Sequence, residues 1–416
     1  MGPLQHIRVL DLTRVLAGPW CTQTLADLGA DVIKIERPCQ GDDTRHWGPP
    51  FAPDADGRPG TEAAYFLAVN RNKRSVTLDI ASPEGQKIVR DLVAQCDVLV
   101  ENFKVGDMQR YGLDYGALRT VNPGLVYCSI TGFGQTGPYA PRAGYDYIVQ
   151  GLGGFMSVTG ESRDVPGSSP QKAGVAIADL FTGAQATIAI LAALMDRERT
   201  GEGQHLDISL LDSQVAMMAN MATNYLATGE PPVRWGNAHP NIVPYQVFQV
   251  ADGWIIIACG NDRQFRKLAE AAGAPGLASD PRFETNPDRV HHREALVALL
   301  DAQLRQRTKA QWISLLETAG VPCGPINDLA EVFQDPQVLA RDMLVQLPHP
   351  TAGHVRVPGS PLKLSRTPVS YRSAPPLLGQ HTHEVLQGMV ALSDDELHDL
   401  QARRIIKGLF TRLLQE

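Results

Sequence analysis

The chain has 416 residues, of which 43% are hydrophobic and 20% are charged, a composition typical of a globular protein with two or three domains. Its formal net charge of −7 argues against nucleic acid as a partner, because affinity for phosphates comes from Lys and Arg. We identify no apolar run close to the roughly 20 residues that cross a bilayer, and no signal peptide or targeting presequence. We therefore expect a cytoplasmic protein with no membrane partner.

Strand and helix patterns alternate through the first half of the chain. Apolar segments predict strands at residues 7–12, 31–35, 97–100 and 125–130. Helices are predicted at residues 17–28 and 83–95, the second beginning with Ser82 as N-cap and Pro83 in the first turn. Strands separated by amphipathic helices indicate βαβ units, so we predict a large Rossmann-like α/β domain with a parallel sheet.

The alternation of strand and helix patterns ends in the second half of the chain. We assign residues 1–215 to the large domain and residues 216–240, which include Gly-Glu-Pro-Pro, to a linker. A hairpin pattern around Ala-Asp-Gly opens a smaller α+β domain at residues 241–325. The remainder, residues 326–416, contains a Pro-rich connector and a final helix.

Asp179 is the strongest candidate for a reactive group. It lies between an apolar segment, residues 174–177, that we interpret as a strand, and a long helix pattern at residues 180–197. A carboxylate there would meet the positive end of the helix dipole and free N–H groups, which would keep it ionised. Ligands bind at the carboxyl ends of strands in such sheets. Aspartate is also a common N-cap, so the position alone leaves a structural role open.

Other polar segments follow predicted strands, and their basic residues suit the phosphates of a nucleotide-like anion. The alternative is a set of solvated loop charges. These segments are Thr13–Gly18, Glu36–Pro38, Asn70–Arg74, Glu101–Phe103 and Thr131–Gly137. The first lacks GxGxxG, which argues against a dinucleotide site. The six cysteines form no CxxC pair, and the His pairs lack a third ligand, so we expect reduced thiols and no metal.

Several long segments, in order, resemble the family III CoA-transferases of the CaiB/BaiF type. They are VLDLTRVLAGPWCTQTLADLGADVIKIERP, NRNKRSVTLD, DVLVENF, YCSITGFGQTGPY, KAGVAIADLFTG, GVPCGPIND and PPLLGQHT. The resemblance implies that Asp179 is the catalytic aspartate. It also implies a CoA site lined by Leu16, Ala17, Arg37, Lys73, Asn102, Phe103, Arg110, Gly132 and Phe133.

The resemblance further implies an interlocked homodimer in which residues 326–416 return to the large domain. Coenzyme A and acyl-CoA would be substrates, with no permanently bound cofactor. The implied chemistry is covalent catalysis, in which Asp179 carries CoA as a thioester between two acids. Acyl-CoA racemases of the same superfamily carry His where this chain has Tyr145, and a phenol is a poor base at neutral pH. A non-catalytic CoA-binding protein is the alternative from a different functional class.

Further stretches resemble the members of the family that transfer CoA from succinyl-CoA to glutarate. They include GDDTRHWGPPF, RWGNAHPNIVPYQVF and HPTAGHVRVPG. A dicarboxylate needs a cation for its distal end, for which the candidates are Arg71, Arg74, Arg234 and His239. Related dicarboxylates remain open as acceptors, because one methylene changes binding by only about 1–3 kcal/mol.

Overall fold

The computed structural model describes residues 2–408, and it divides into two compact units. Unit 1 consists of the described residues up to Gly154, Ala173–Ala222 and the described residues from Gln337 onward, and unit 2 of Phe155–Lys172 and Thr223–Pro336. The predicted boundaries differ from these units. Residues 155–172, which we assigned to the large domain, belong to unit 2, and the predicted linker contains a helix.

The strands of the described chain, numbered in chain order, are β1 Arg8–Asp11, β2 Asp31–Glu36, β3 Phe51–Ala52, β4 Glu62–Ala63, β5 Lys73–Thr77, β6 Val98–Glu101, β7 Val126–Thr131, β8 His205–Ser209, β9 Tyr245–Val250, β10 Gly253–Ala258, β11 Cys323–Pro325, β12 Leu344–His349 and β13 Gly353–Pro358.

The α-helices are α1 Ala17–Asp27, α2 Ala64–Ala68, α3 Pro83–Val93, α4 Asp107–Arg110, α5 Tyr115–Leu118, α6 Asp146–Leu152, α7 Phe155–Val158, α8 Ile177–Thr200, α9 Leu210–Met217, α10 Ala219–Thr228, α11 Asp262–Ala271, α12 Asn286–His291, α13 Arg293–Leu304, α14 Lys309–Ala319, α15 Leu329–Val332, α16 Pro336–Ala340, α17 Thr382–Val390 and α18 Asp394–Ala402. Short 3₁₀ helices cover Asp43–His46 and Pro275–Ser279.

Unit 1 is built on a six-stranded sheet in the order β5-β2-β1-β6-β7-β8, with parallel pairing throughout. Successive residues of a strand face opposite sides. In β1, Val9 packs in a core with α1 and α8, whereas Leu10 packs in a second core with α3. Val385 of α17 and Leu397 of α18 join this second core, so the C-terminal helices belong to the large sheet. The predicted parallel α/β architecture is confirmed.

Local sequence signals account for much of this layer. The Ser82 side chain accepts a hydrogen bond from Gly85 N, and Pro83 occupies the first turn of α3, as predicted. The buried face of α3 consists of Gly85, Ile88, Val89, Leu92 and Val93. The four predicted strands of the first half correspond to β1, β2, β6 and β7.

Two predictions about α8 are wrong. Residues 174–177 do not form a strand: α8 begins at Ile177, and Asp179 lies inside its first turn. The apolar segment misled the prediction, because Val175 is 59% exposed and pairs with no strand.

The second wrong prediction is that no apolar run approaches the length that crosses a bilayer. By length and composition alone, α8 could cross a membrane: it has 24 residues and a mean hydropathy of 1.6 in its most apolar window. Its buried residues pack in the core shared with α1, and the core helix of a globular domain meets the same criterion.

Unit 2 contains a three-stranded antiparallel sheet in the order β11-β10-β9, with helices packed against it. The predicted hairpin joins β9 and β10, whose pairing begins at Val250 and Gly253. Arg289 is fully buried, and its guanidinium donates hydrogen bonds to the carbonyl groups of Val243 and Phe283 and to the Asp262 carboxylate. These bonds tie α12 to the start of the sheet.

Candidate active site

The site lies where the strand order of the large sheet reverses. From β1 the chain adds β2 and β5 on one side and β6, β7 and β8 on the other, so a crevice opens beyond the carboxyl ends of β1 and β6. The Asn102 side chain, just after β6, bridges this crevice: it accepts a hydrogen bond from Arg14 N at 3.0 Å and donates one to Arg14 O at 2.8 Å. The loop after β1 is thereby fixed to the end of β6.

A cavity of about 450 Å³ opens beside this junction, and Asp179 is part of its wall. Five residues that the family resemblance assigns to the CoA site line the same cavity: Leu16, Ala17, Asn102, Phe103 and Gly132. They come from segments more than 100 residues apart in sequence, which the parallel sheet brings together.

A second cavity of about 270 Å³ adjoins the first, since Arg14 and Phe103 line both. Arg37, at the end of β2, lines this second cavity. The Arg14 guanidinium lies 5.7 Å from the centre of the Phe103 ring, and Asp43 forms ion pairs with both arginines, at 3.0 Å to Arg14 and 3.1 Å to Arg37. The pair of cavities suits a long ligand with an anionic end.

Asp179 is flanked by a second carboxylate. Asp146 Oδ1 accepts hydrogen bonds from Ala178 N at 2.8 Å and from Asp179 N at 3.3 Å, and the Gln150 amide donates to Asp146 Oδ2 at 2.6 Å. Asp146 therefore occupies the helix N-terminus that we expected to stabilise Asp179. Burial and then repulsion by Asp146 raise the pKa of Asp179 to about 7, so the expectation that the helix dipole keeps it ionised is corrected.

The wall opposite β7 depends on a contact between two glycines. A Cβ atom on Gly132 would lie 2.4 Å from the Cα of Gly144, so neither position tolerates a side chain without movement. The segment after Gly144 carries Tyr145, which is 63% exposed and lines the cavity together with Asp179. Close approach of these two backbones thus fixes part of the wall of the cavity that Asp179 also lines.

Comparison with known proteins assigns the chain to a family. A family model described as CoA-transferase family III matches residues 4–382. The chain belongs to CoA-transferase family III.

Curated relatives and a solved structure agree with this assignment. The succinate–glutarate CoA-transferase of Agrobacterium fabrum is 53% identical over 386 residues, covering 92% of this chain and 95% of the relative. The succinyl-CoA:glutarate CoA-transferase of Homo sapiens is 43% identical over 404 residues, covering 97% and 90%. The crystal structure of a CaiB/BaiF family protein from Brucella suis has a TM-score of 0.82 and 50% identity, covering 93% of this chain and 99% of that one.

Three of the predicted CoA residues of this CoA-transferase line neither cavity. Lys73 is fully buried, and its Nζ donates to Asp11 Oδ2 at 3.1 Å. Arg110 is 65% exposed and pairs with Asp107, which lines the second cavity. The Phe133 ring lies behind the first cavity wall, where it contacts the Arg142 guanidinium at 5.3 Å.

The position of Lys73 has a sequence-level cause. The segment Asn70–Arg74 precedes and begins β5, whereas we placed it after a strand, so its side chains start from the opposite end of the sheet. Burial opposes ionisation of Asp11, but Lys73 and Lys34 outweigh it and lower the pKa of Asp11 to about 2. Lys73 is therefore part of a buried cluster of charged side chains and does not line the surface of either cavity.

The four candidates for the distal carboxylate lie in different surroundings. Arg71 is buried against Asp27 at 2.6 Å, and Arg74 pairs with Asp31 at 2.6 Å and Glu384 at 3.0 Å. Both arginines are thus engaged at the amino ends of the strands.

Arg234 and His239 belong to unit 2. Arg234 Nε donates to the Glu161 carbonyl at 3.2 Å, which ties residues 155–172 to that unit. His239 packs against Tyr245, and burial and the nearby Arg293 lower its pKa. These contacts within unit 2 do not test the predicted role of Arg234 and His239 in substrate binding, which stays a prediction.

Sequence reasoning missed several residues of the cavity with Asp179. Four of them are cationic or aromatic: Arg14, Trp47, Lys104 and Arg142. Arg14 lies within the predicted segment Thr13–Gly18 and Lys104 directly follows the segment Glu101–Phe103, so their proximity to strand ends was an available signal. Asp146 carried no such signal, because its effect on Asp179 depends on a contact across 33 residues.

Proposed function

We propose that this CoA-transferase moves CoA from succinyl-CoA to glutarate or a related dicarboxylate, with Asp179 as the covalent carrier. The observation that carries the proposal is the position of Asp179 in the wall of the cavity that Asn102, Phe103 and Gly132 also line. The names of the relatives from Agrobacterium fabrum and Homo sapiens support the choice of substrates.

In the proposed reaction, an Asp179 oxygen attacks the thioester carbonyl of the donor. The C–S bond breaks, CoA leaves as thiolate, and a mixed anhydride joins Asp179 to the donor acid. The thiolate attacks the aspartyl carbonyl, which releases the donor carboxylate and forms an aspartyl-CoA thioester. The acceptor carboxylate then attacks this thioester, and the thiolate attacks the acyl group of the resulting anhydride. Asp179 is regenerated with no net gain or loss of protons.

The surroundings of Asp179 support its role as nucleophile. A carboxyl group whose pKa is raised to about 7 by burial and by Asp146 is more basic when ionised than an exposed carboxylate. Greater basicity gives greater nucleophilicity. The neighbouring charge of Asp146 also disfavours the ionised ground state, and acylation of Asp179 removes that repulsion.

The cations of the two cavities support CoA as the carrier. Arg14, Lys104 and Arg142 line the first cavity, and Arg37 lines the second. Arg14 and Arg37 are both paired with Asp43, so a phosphate bound there would take the place of that carboxylate. The planar ring of Phe103 lines both cavities, where it could contact a nucleotide base.

We also propose a homodimer for this protein. Large apolar side chains are exposed on α8 and α9: Ile188 is 59% exposed, Met195 70% and Val215 53%. A second copy of the chain would bury such a surface. Sedimentation velocity should give the mass of a dimer that persists on dilution, as an interlocked assembly requires. A monomer mass at all concentrations would contradict the proposal.

The function is tested by incubating the enzyme with succinyl-CoA and a panel of carboxylates, with acyl-CoA products read by mass spectrometry. We expect glutaryl-CoA or the thioester of a related dicarboxylate, and hydroxylamine should trap the acylated enzyme at Asp179. Asp179→Asn should abolish transfer while CoA binding is retained. Label on another residue, or normal turnover by Asp179→Asn, would contradict the mechanism.

The same assay in D₂O separates transfer from racemisation. A racemase would exchange the α-hydrogen of the acyl-CoA with solvent, whereas a transferase leaves it in place. Exchange of the α-hydrogen without transfer of CoA would favour the racemase. CoA binding with neither reaction would favour a non-catalytic binding protein.

A further inference from the structure

Val15 has an unusual backbone conformation at the wall of the first cavity. Its φ is 71°, in the left-handed region that a β-branched residue rarely adopts, and it lines the cavity with Asp179. This conformation is strained for a β-branched residue, so surrounding groups must enforce it.

Four side chains bind the backbone around Val15. Asp11 Oδ1 accepts from Thr13 N at 2.9 Å, and Lys34 Nζ donates to Thr13 O at 2.7 Å. The Asn102 amide binds both backbone groups of Arg14, as described above. The Asp42 carboxylate accepts from Val15 N at 3.2 and 3.3 Å. Polar backbone groups from Thr13 N to Val15 N are thus all bonded to side chains.

The last of these contacts depends on a buried ion pair. The side chains of Lys34 and Asp42 are both fully buried, and Lys34 Nζ lies 2.9 Å from Asp42 Oδ2. Asp42 Oδ1 also accepts from Thr44 N at 3.0 Å, which orients the carboxylate. Burial opposes the charge on Asp42, but Lys34 outweighs it and lowers the pKa of Asp42. Asp42 is therefore a fixed, ionised acceptor beneath the loop.

We infer that Asp42, paired with Lys34, is a positioning residue that holds Val15 in its left-handed conformation and so shapes the acyl-CoA site. The inference rests on the proposed use of this cavity by acyl-CoA. Asp42 bonds to the Val15 backbone and is argued to act through it. When the carboxylate is removed, Val15 relaxes toward negative φ. This change moves the flanking residues Arg14 and Leu16 away from their positions in the cavity wall.

The consequence is a defect in binding more than in chemistry. Asp179 and Asp146 stand on α8 and α6, and the hydrogen bonds that join them do not involve this loop, so saturating acyl-CoA should still support turnover. We expect Asp42→Ala to raise KM for succinyl-CoA by about 10-fold, equivalent to roughly 1.4 kcal/mol, and to change kcat by less than about 3-fold.

A second substitution distinguishes positioning from general support of the fold. Glycine adopts positive φ without strain, so Val15→Gly should lower the raised KM of Asp42→Ala by at least about 3-fold. Melting temperatures are measured alongside KM, because relief of the strain at residue 15 stabilises the folded state whereas the backbone entropy of glycine stabilises the unfolded chain. Asp27→Ala is the matched control: it removes another buried carboxylate, the partner of Arg71, and should lower the melting temperature while KM is unchanged.

The outcomes separate this inference from the proposed function. If wild-type enzyme neither binds CoA nor transfers it, the proposed function fails. If wild type is active and Asp42→Ala keeps its KM, or if Val15→Gly does not reduce a raised KM, the positioning role is overturned. Should Asp42→Ala not fold, Asp42→Asn takes its place with the same Val15→Gly partner, and a KM that is raised and then reduced supports the inference.

Discussion

The carboxylate of Asp146 accepts a hydrogen bond from the backbone N–H of Asp179, at 3.3 Å, so two acidic side chains share the first turn of α8. A helix N-terminus favours negative charge, and here that advantage goes to Asp146. Asp179 instead has its pKa raised to about 7, first by burial and second by Asp146. The carboxyl group proposed as the nucleophile therefore has a pKa near neutrality.

Asp146→Asn should shift the pH dependence of the reaction. Wild-type kcat/KM should rise as Asp179 ionises, with a midpoint near pH 7. Removal of the Asp146 charge should lower this midpoint, while burial, the larger cause, keeps it above the ordinary value of 3.8. The measurement is a pH profile of kcat/KM. Asp196→Asn, at the far end of the same helix and paired with Arg199, should leave the midpoint unchanged, and an unshifted Asp146→Asn profile would refute the coupling.

Asp179→Asn should stabilise the protein at alkaline pH. The folded pKa of about 7 exceeds the unfolded value near 3.8, so the folded state binds the proton more tightly. The stability that this provides is present below about pH 4 and is lost as pH rises toward 7. The amide avoids the cost of a buried charge, so we expect the free energy of unfolding at pH 8 to increase by on the order of 1 kcal/mol. Thermal melts at pH 5 and pH 8 test this, and a gain no larger at pH 8 would contradict it.

Arg14→Ala and Arg74→Ala separate two groups of candidate cations. Arg14 lines both cavities, and loss of its charge-assisted contacts should raise KM for succinyl-CoA by about 10-fold, or by more at low ionic strength. Arg74 is held by Asp31 and Glu384, so its removal should leave KM for both substrates within about 2-fold. Steady-state kinetics with each substrate varied provide the test; a large rise in acceptor KM for Arg74→Ala would restore its predicted role.

Gly132→Ala should destabilise the wall of the cavity. The added methyl group would lie 2.4 Å from Gly144 Cα, and relief of this clash costs about 1–3 kcal/mol. We expect a lower melting temperature together with reduced transfer. Gly388→Ala is the control, because nothing lies within 4 Å of the added atom and helix α17 gains from alanine. Equal melting temperatures for Gly132→Ala and wild type would show that the two backbones separate freely.

Sequence reasoning succeeded where the determining interactions are local. The cap at Ser82 and the hairpin between Val250 and Gly253 each depend on neighbours within a few residues. The approach of Leu16, Asn102 and Gly132 came from the family resemblance, because no local pattern encodes a contact between strand ends.

It failed where long-range contacts override a local pattern. The apolar run before Asp179 suits a strand, yet it finds no neighbour in the sheet, and the helix starts at Ile177 instead. Lysine is a common phosphate-binding residue, but Lys73 begins strand β5. Its ammonium group is buried in an ion pair with Asp11. Neither outcome is visible without the order of the strands.

The wall shared by the two cavities, formed by Arg14 and Phe103, bears on what happens between the half-reactions. If the nucleotide is gripped there, the freed sulfur stays tethered next to the acylated carboxyl group, and recapture is unimolecular, with an effective molarity that can reach about 10⁵ M. Coenzyme from bulk solution could not compete with it. Radiolabelled free coenzyme added during turnover should therefore remain out of the product, and alkylating agents that scavenge thiols should leave the yield intact.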